Sequence, residues 1–509
     1  MTAAAATASA PQATHRGLIT VSVMLATIMQ ALDTTIANVA LPHMQGTMGA
    51  TQDQISWVLT SYIVAAAIFM PLTGFLAARL GRKRLFMWAV VGFTLTSMLC
   101  GASQNLTQIV IFRLLQGMFG ASLVPLSQSV LLDTYPRERH GAAMAMWGVG
   151  VMIGPILGPS LGGWLTEYYS WRWVFYINLP FGLLTWFGLA AFVHETPLDR
   201  SRRFDLLGFA LLSIAIGALQ MMLDRGESLD WFVSREVLIE AMLAGLAFYL
   251  FVAHIFTFDQ PFLEPGLFKD RNFNVGLIFI FVIGLILLAT MALLPPFMQG
   301  LMGYPIIDIG FLLAPRGMGT MVAMIVVGKM SGRVDARHQI FLGLLLTSFS
   351  LWEMTKFTAD ISGSAIVVTG VIQGLGLGFV FVPLSTITFS TLHPRYRNEG
   401  ASLFSLMRNL GSSIGISVVV TYLAQSVQAN HAVFSEHINL FSQPLRQAVE
   451  SGALDISSPQ GLAAIDALVN KQAAMLAYLQ DFRLMMWITL SSIPLILLLR
   501  SPPNHSGAS

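Results

Sequence analysis

Apolar residues in this chain come in long runs, broken by short stretches that hold most of the charges and many of the Pro and Gly residues. A helix needs about 20 predominantly apolar residues to cross the roughly 30 Å hydrocarbon core of a bilayer. Windows of that kind fall at 18–41, 55–77, 85–102, 107–131, 140–165, 173–193, 205–223, 236–256, 272–297, 306–328, 338–357, 364–390, 400–425 and 482–500, which predicts an all-α polytopic membrane protein with 14 transmembrane helices. Between the last two windows, 426–481 is the one long polar excursion. Its stretch 458–480 places apolar residues at helical spacing, so it reads as an amphipathic helix running into the final span. The excursion is either a solvated loop with a helical lead-in or a docking surface for an extracytoplasmic partner.

The charges between the windows orient them. Arg16, Arg79, Arg82, Lys83, Arg84, Arg137, Arg139, Arg200, Arg202, Arg203, Lys269, Arg271, Lys329, Arg333, Arg337, Arg395, Arg397 and Arg500 fall on one side, while the short segments on the other hold Arg172, Arg225, Arg235 and Lys356. By the positive-inside rule the first side is cytoplasmic, and both termini lie there. The small, polar start MTAAAATASAPQATHR sets its A-x-A-like letters before the apolar run instead of after it, so the first span is expected to remain uncleaved.

Composition narrows the class. Hydrophobic residues make up 55% and charged residues only 11%, against roughly 25% charged in soluble domains. The 28 Lys+Arg and 26 Asp+Glu leave a net charge of +2, without the basic footprint of a nucleic-acid binder. Cys100 is the single cysteine, which excludes an intrachain disulfide and a Cys-built metal centre. The 10 His are scattered, mostly in loops and tails, with no pair at metal-ligand spacing on one helix face, so neither a metal site nor an enzyme is expected. No phosphate-binding G-x-x-x-x-G-K-[ST] occurs, because Gly328-Lys329 is followed by Met330. Nucleotide hydrolysis is therefore not expected, and no cofactor is.

An internal repeat is visible. Gln116-Gly117 and Gln373-Gly374 each precede a Pro-Leu-Ser, at Pro125 and Pro383, and Pro136, Arg137 and Arg139 recur as Pro394, Arg395 and Arg397. A weaker pair relates 74–84 to 328–337. Both pairs lie eight spans apart, so the repeated halves run in the same direction through the membrane, as two bundles related by an axis along its normal would. The chain thus divides into a tail 1–17, a six-helix bundle 18–193, two inserted helices 194–257, a second six-helix bundle 258–500 that includes 426–481, and a tail 501–509.

Several polar residues lie where the bilayer makes them expensive. Asp33 is in the body of the first span, where a carboxylate costs about 2.5–3.5 kcal/mol on translocon scales. Either it is a permanently paired structural aspartate or it carries a proton, since burial and a nearby cation push a carboxyl in opposite directions. Arg113, Arg316 and Arg408 are the deep cations. Arg113 is the expected partner of Asp33, whereas Arg316 and Arg408 are read equally as gate, packing or cavity residues. Gln30, Asn38, Gln116, Gln128, Asn178 and Gln373, with Gln299 and Asn409, complete the neutral polar set, from which a substrate cavity or simple interhelical hydrogen bonds would be built. The 27 Met suit a soft pocket or a lipid-facing surface. In the fifth span Gly150, Gly154, Pro155, Gly158, Pro159, Gly162 and Gly163 make a small-residue stripe on a helix with two prolines, a tightly packed, kinked element.

Four segments together resemble the major facilitator superfamily and, within it, the fourteen-span drug:proton antiporters of the EmrB-like branch: Leu32-Asp33 to Pro42, Arg113-Leu-Leu-Gln116-Gly117, the Gly-Pro stripe of span five, and Trp171-Arg172-Trp173 to Pro180. Leu223-Asp224-Arg225-Gly226 and Leu229-Asp230-Trp231-Phe232 are similar to the EmrB-like branch in particular. The resemblance implies that Asp33 and Arg113 hold the proton-coupling positions and that Gly74, Arg79, Gly81, Arg82 and Lys83 form a cytoplasmic loop gate. Ala78 stands where that loop motif has an aspartate. It further implies a proton-coupled inner-membrane exporter of amphipathic compounds, working by alternating access with a periplasmic membrane-fusion adaptor and an outer-membrane channel. A dedicated exporter or importer of one metabolite, such as a fatty acid or a siderophore, would use the same fold.

Overall fold

The computed structural model describes residues 15–199, 203–438, 446 and 458–500. The tail 501–509, all but the end of the tail 1–17, Arg200 and Arg202, and the stretches 439–445 and 447–457 of the 426–481 excursion lie outside the described residues. The N-terminal half consists of α1 (Arg16–Met48), α2 (Gln52–Phe69), α3 (Leu72–Leu80), α4 (Arg82–Ala102), α5 (Leu106–Gly120), α6 (Leu123–Thr134), α7 (His140–Tyr168), α8 (Trp173–Tyr176) and α9 (Asn178–Phe192). A hairpin of α10 (Leu206–Arg225) and α11 (Arg235–Thr257) follows. The C-terminal half comprises α12 (Arg271–Pro296), α13 (Ile306–Met330), α14 (Ala336–Met354), α15 (Gly363–Ser390), α16 (Arg397–His437) and α17 (Pro459–Ser492). Among the described residues, 12 helices are long and apolar enough to cross a membrane, and the bent pair α2/α3 makes a thirteenth candidate. The remaining window, 338–357, is occupied by α14, whose 19 residues carry Arg337 in the first turn and Glu353 in the last. It falls outside that set of candidates and sits in the place where the sequence calls for a span.

Proline explains the breaks within spans. Its ring clashes with the carbonyl four residues earlier and it lacks an N–H. Pro71 lies between α2 and α3, which meet at 57°. Pro125 breaks the span at Ala121, dividing α5 from α6, and Pro180 breaks it at Tyr176, dividing α8 from α9. Gly49 ends α1 at a left-handed φ of 60°, donating its N–H to the Gln45 carbonyl, and Thr51 and Gln54 form a reciprocal capping box that starts α2.

The first half packs α1 against α6, α7 and α9, and α4 and α5 against each other and α2 and α9; the second packs α12 against α15 and α16, and α15 against α13 and α14. The halves meet where α7 runs beside α13. Small residues permit that approach: a Cβ on Gly328 would stand 2.6 Å from Ala145, and one on Gly317 would strike the Ile156 side chain. The hairpin α10–α11 lies outside both halves, with α10 against α2 and α16. Gln220 donates to Ser413 Oγ at 2.9 Å, and Asp224 accepts from Thr60 Oγ1. Much of α11 is bare, with Leu246, Phe248 and Tyr249 more than half exposed, as a lipid-facing helix requires.

Candidate functional site

Five helices converge on Asp33. Arg113 Nη1 donates to Asp33 Oδ2 at 2.7 Å, Gln116 Nε2 to Oδ1 at 2.8 Å, and Asn178 Nδ2 to the same Oδ1 at 2.8 Å. Gln116 follows Arg113 by one helical turn on α5, so both side chains face α1, and Arg113 Nη1 also reaches Gln116 Oε1 at 2.9 Å. Arg113 Nε donates to the Val58 carbonyl at 3.1 Å, and the guanidinium lies 4.3 Å from the centre of the Tyr62 ring. Ser97 links Asn178 to the Phe175 carbonyl. Asp33 and Arg113 are each only 1% exposed. A buried pair of this kind offsets its desolvation only when its remaining donors and acceptors are satisfied, and here hydrogen bonds surround both charges.

The expected pairing of Asp33 with Arg113 is therefore present as geometry. Gln116 and Asn178, predicted as cavity candidates, instead serve as ligands of Asp33 and are buried with it. Gln128 is fully buried against Met144. Gln30 donates to Tyr62 Oη at 3.3 Å at the edge of the cluster, while Asn38 is exposed further along α1. Tyr62 and Ser97 escaped the sequence reading, because a Tyr or Ser in an apolar run carries no charge to mark it.

The glycine stripe presses α7 onto the helix that carries Asp33. A Cβ on Gly154 would collide with the Ala31 backbone, one on Gly158 with Thr35, and one on Gly162 would lie 2.7 Å from Ile36 Cγ1; Gly150 faces Met24 at 3.3 Å. Thr35 Oγ1 donates to the Gly154 carbonyl at 3.0 Å. Gly163 does not belong to this face, having nothing within 4 Å of a built Cβ. Pro155 and Pro159 lie inside α7, which continues through both.

At the basic end of the molecule the loop-motif residues separate by role. Arg82 is buried and reaches Asp133 at 2.5 Å and the Ser129 carbonyl at 3.3 Å. Asp133 also pairs with Arg397 of the other half, whose Nη1 reaches the Leu132 carbonyl at 3.4 Å. Gly74 leaves room for Glu399, which a Cβ would approach to 2.6 Å. Gly81 has a φ of 92° and lies under the Glu195 carboxylate. That carboxylate accepts the N–H groups of Lys83 and Arg84 at the start of α4, and Lys83 Nζ caps the Ala190 carbonyl at 2.7 Å. Arg79 is exposed beside Phe75. Where the resemblance lacks its aspartate at Ala78, the acid that bridges the halves is Asp133, three residues before Pro136, a residue the sequence reading passed over.

The second half contains a related but unequal arrangement. Gln373, the repeat partner of Gln116, donates to Thr290 Oγ1 at 3.2 Å. Gly370 stands where Arg113 does in the first half, three residues before the glutamine. Arg316 of α13 packs there instead: its Cβ lies 3.5 Å from a Cβ built on Gly370, and Nη2 donates to the Leu287 carbonyl at 3.2 Å. Neither Arg316 nor Arg408 makes an ion pair among the described residues. Asp481 on α17 is fully buried, with neither carboxylate oxygen hydrogen-bonded among the described residues, on the turn that carries Tyr478 and Phe482.

Two helical halves, a buried ion pair on the first span and an acid held between arginines of both halves fit a multi-pass membrane transporter. The Major Facilitator Superfamily model matches residues 23–416, and the chain belongs to that family. It is 36% identical over 491 residues to the fatty acid resistance protein FarB of Neisseria gonorrhoeae, covering 96% of this chain and 97% of that one. It is 35% identical over 497 residues to the multidrug export protein EmrB of Escherichia coli strain K12, covering 96% of each. Among solved structures, the human organic anion transporter MFSD10 superposes with a TM-score of 0.60 at 14% identity, over 94% of this chain and 100% of that one, a likeness of fold.

Proposed function

We propose that the protein is a proton-coupled exporter of amphipathic compounds in the inner membrane, with Asp33 as the proton-carrying group. The observation that carries this reading is the closed set of partners around Asp33. A proton on this carboxylate cancels its attraction for Arg113 and frees α1, α5 and α9 from one another. The glycine stripe then makes the event felt elsewhere, because α1 cannot shift without α7, and α7 runs beside α13 of the other half. Asp133, held between Arg82 and Arg397, is the latch that closes the cytoplasmic side and must release when the halves rock. One proton crossing 100 mV supplies about 2.3 kcal/mol, enough for roughly 50-fold accumulation. The names of the EmrB and FarB relatives, which describe multidrug export and fatty acid resistance, support efflux as the direction. A periplasmic membrane-fusion adaptor and an outer-membrane channel complete the path in this reading, with the outward ends of α16 and α17 as the adaptor's contact.

The test is uptake into inverted membrane vesicles under an imposed proton gradient, using an amphipathic fluorescent probe, with and without a protonophore. Gradient-dependent uptake is expected in the unmodified protein and is expected to vanish in Asp33→Asn. Full coupled uptake by a normally expressed Asp33→Asn protein would remove Asp33 from the mechanism. The FarB likeness favours one narrower reading, a carrier of fatty acids alone, and competition for uptake by unrelated amphiphiles distinguishes the two.

A further inference from the structure

We infer that the interior of the C-terminal half holds an anion-binding subsite at Arg316, which receives the acidic head group of an amphipathic carboxylate. The inference rests on the export reading above and gives its substrate a charge. Arg316 is 6% exposed, yet Nη2 to the Leu287 carbonyl is its only side-chain hydrogen bond among the described residues. A guanidinium has five N–H donors in a planar fork matched to a carboxylate. One carbonyl leaves most of that fork unused. Gln373 reaches the next turn of the same helix, at Thr290, and keeps its own amide oxygen buried and unpaired. Two incompletely satisfied polar side chains thus approach adjacent turns of α12.

The first half shows what a completed version looks like. There the glutamine at the equivalent repeat position meets Asp33, and the arginine meets the same carboxylate. In the second half the glutamine meets a threonine, and the arginine, supplied by α13 over Gly370, meets no acid among the described residues. The site keeps an arginine and a glutamine without the carboxylate of the first half, and the free donors are those of the Arg316 guanidinium. A substrate carboxylate supplies the missing oxygens, while its apolar chain lies among the aliphatic and aromatic side chains that dominate these spans.

The experiment uses the full chain in lipid nanodiscs and measures tryptophan quenching by dodecanoate, by dodecanol and by dodecyltrimethylammonium. Dodecanoate is expected to bind more tightly than dodecanol in the unmodified protein. R316Q is expected to weaken dodecanoate roughly tenfold or more, the usual range for a lost charge-assisted hydrogen bond, and to leave dodecanol unchanged, which also verifies the fold. R316K, which keeps the charge without the fork, should fall between. T290D, which restores the acid found in the first half, should abolish the preference even if R316Q does not fold. Equal loss of all three ligands, or an unaltered carboxylate preference in R316Q and T290D, would overturn the subsite. So would an R316Q-sensitive response to chloride alone, which would assign the site to a small inorganic anion. Gradient-driven uptake of the ammonium probe without any carboxylate preference would sink the subsite and leave the export reading standing. Absence of driven transport for every probe would sink the export reading instead.

Discussion

The two halves share a repeat and treat their buried charges in opposite ways. In the first, acid and cation lie on facing helices at 2.7 Å, and the carboxylate takes two further side-chain donors, from Gln116 and Asn178. In the second, Arg316 and Asp481 are buried and Arg408 is half-buried, and none makes an ion pair with another among the described residues. The same scaffold therefore carries a self-neutralised centre on one side and separated charges on the other. A self-neutralised centre responds to a proton, because one proton changes the balance between its partners. Separated charges respond to a ligand that brings its own charge.

Mutations sharpen this contrast. Replacing Asp33 by Leu strands Arg113 in the interior and should destabilise the protein by about 3–5 kcal/mol, read as a fall in detergent-solubilised thermal stability. Asp481→Leu removes no pair and should cost less than about 1 kcal/mol in the same assay; equal losses in the two variants would erase the contrast. Next in size is the latch. Asp133→Asn weakens two charge-assisted contacts at once, worth about 1.5–3 kcal/mol each, and should expose the cytoplasmic side. Gly141→Cys with Ser331→Cys, whose side chains would meet across the halves, reports on this: disulfide formation should arrest uptake reversibly, and Asp133→Asn should slow its formation. The native Cys100 is buried and should not interfere. Smaller effects are expected along α7. Gly154→Ala overpacks α1 and should cost about 1–3 kcal/mol, whereas Gly163→Ala, facing open space, should stay within about 0.5 kcal/mol. A comparable loss at both positions would mean that the stripe sets helix propensity and not the approach of α1.

Much of this was readable from the amino-acid order, because the bilayer exaggerates the signals. Apolar runs had to be helices, so the helices follow the windows closely, and an aspartate or arginine within one had to find compensation, which singled out Asp33 and Arg113. What stayed hidden depends on which way neutral groups point. Gln116 and Asn178 could equally have faced a cavity, and only the angle between α5, α9 and α1 aims them at Asp33. Asp133 ends a span where a carboxylate costs nothing unusual, so its reach to Arg397 is invisible without the contact between halves. The breaks at Ala121 and Tyr176 are the exception among the hidden features, since Pro125 and Pro180 announced them and the windows simply ran across.

The lengths of α16 and α17 have a mechanical consequence. At 1.5 Å per residue the 41 residues of α16 extend about 60 Å, twice the roughly 30 Å of hydrocarbon they must cross. Asn430 binds the Ala473 carbonyl at 3.2 Å and Gln480, and His431 meets Asp466 at 3.1 Å, so the overhanging turns of the two helices are joined to each other. A joined pair of continuous helices is a lever arm with its fulcrum in the membrane. Any tilt of the second half is delivered at the free end as a larger sideways sweep, so an object resting there would register each transport cycle as displacement.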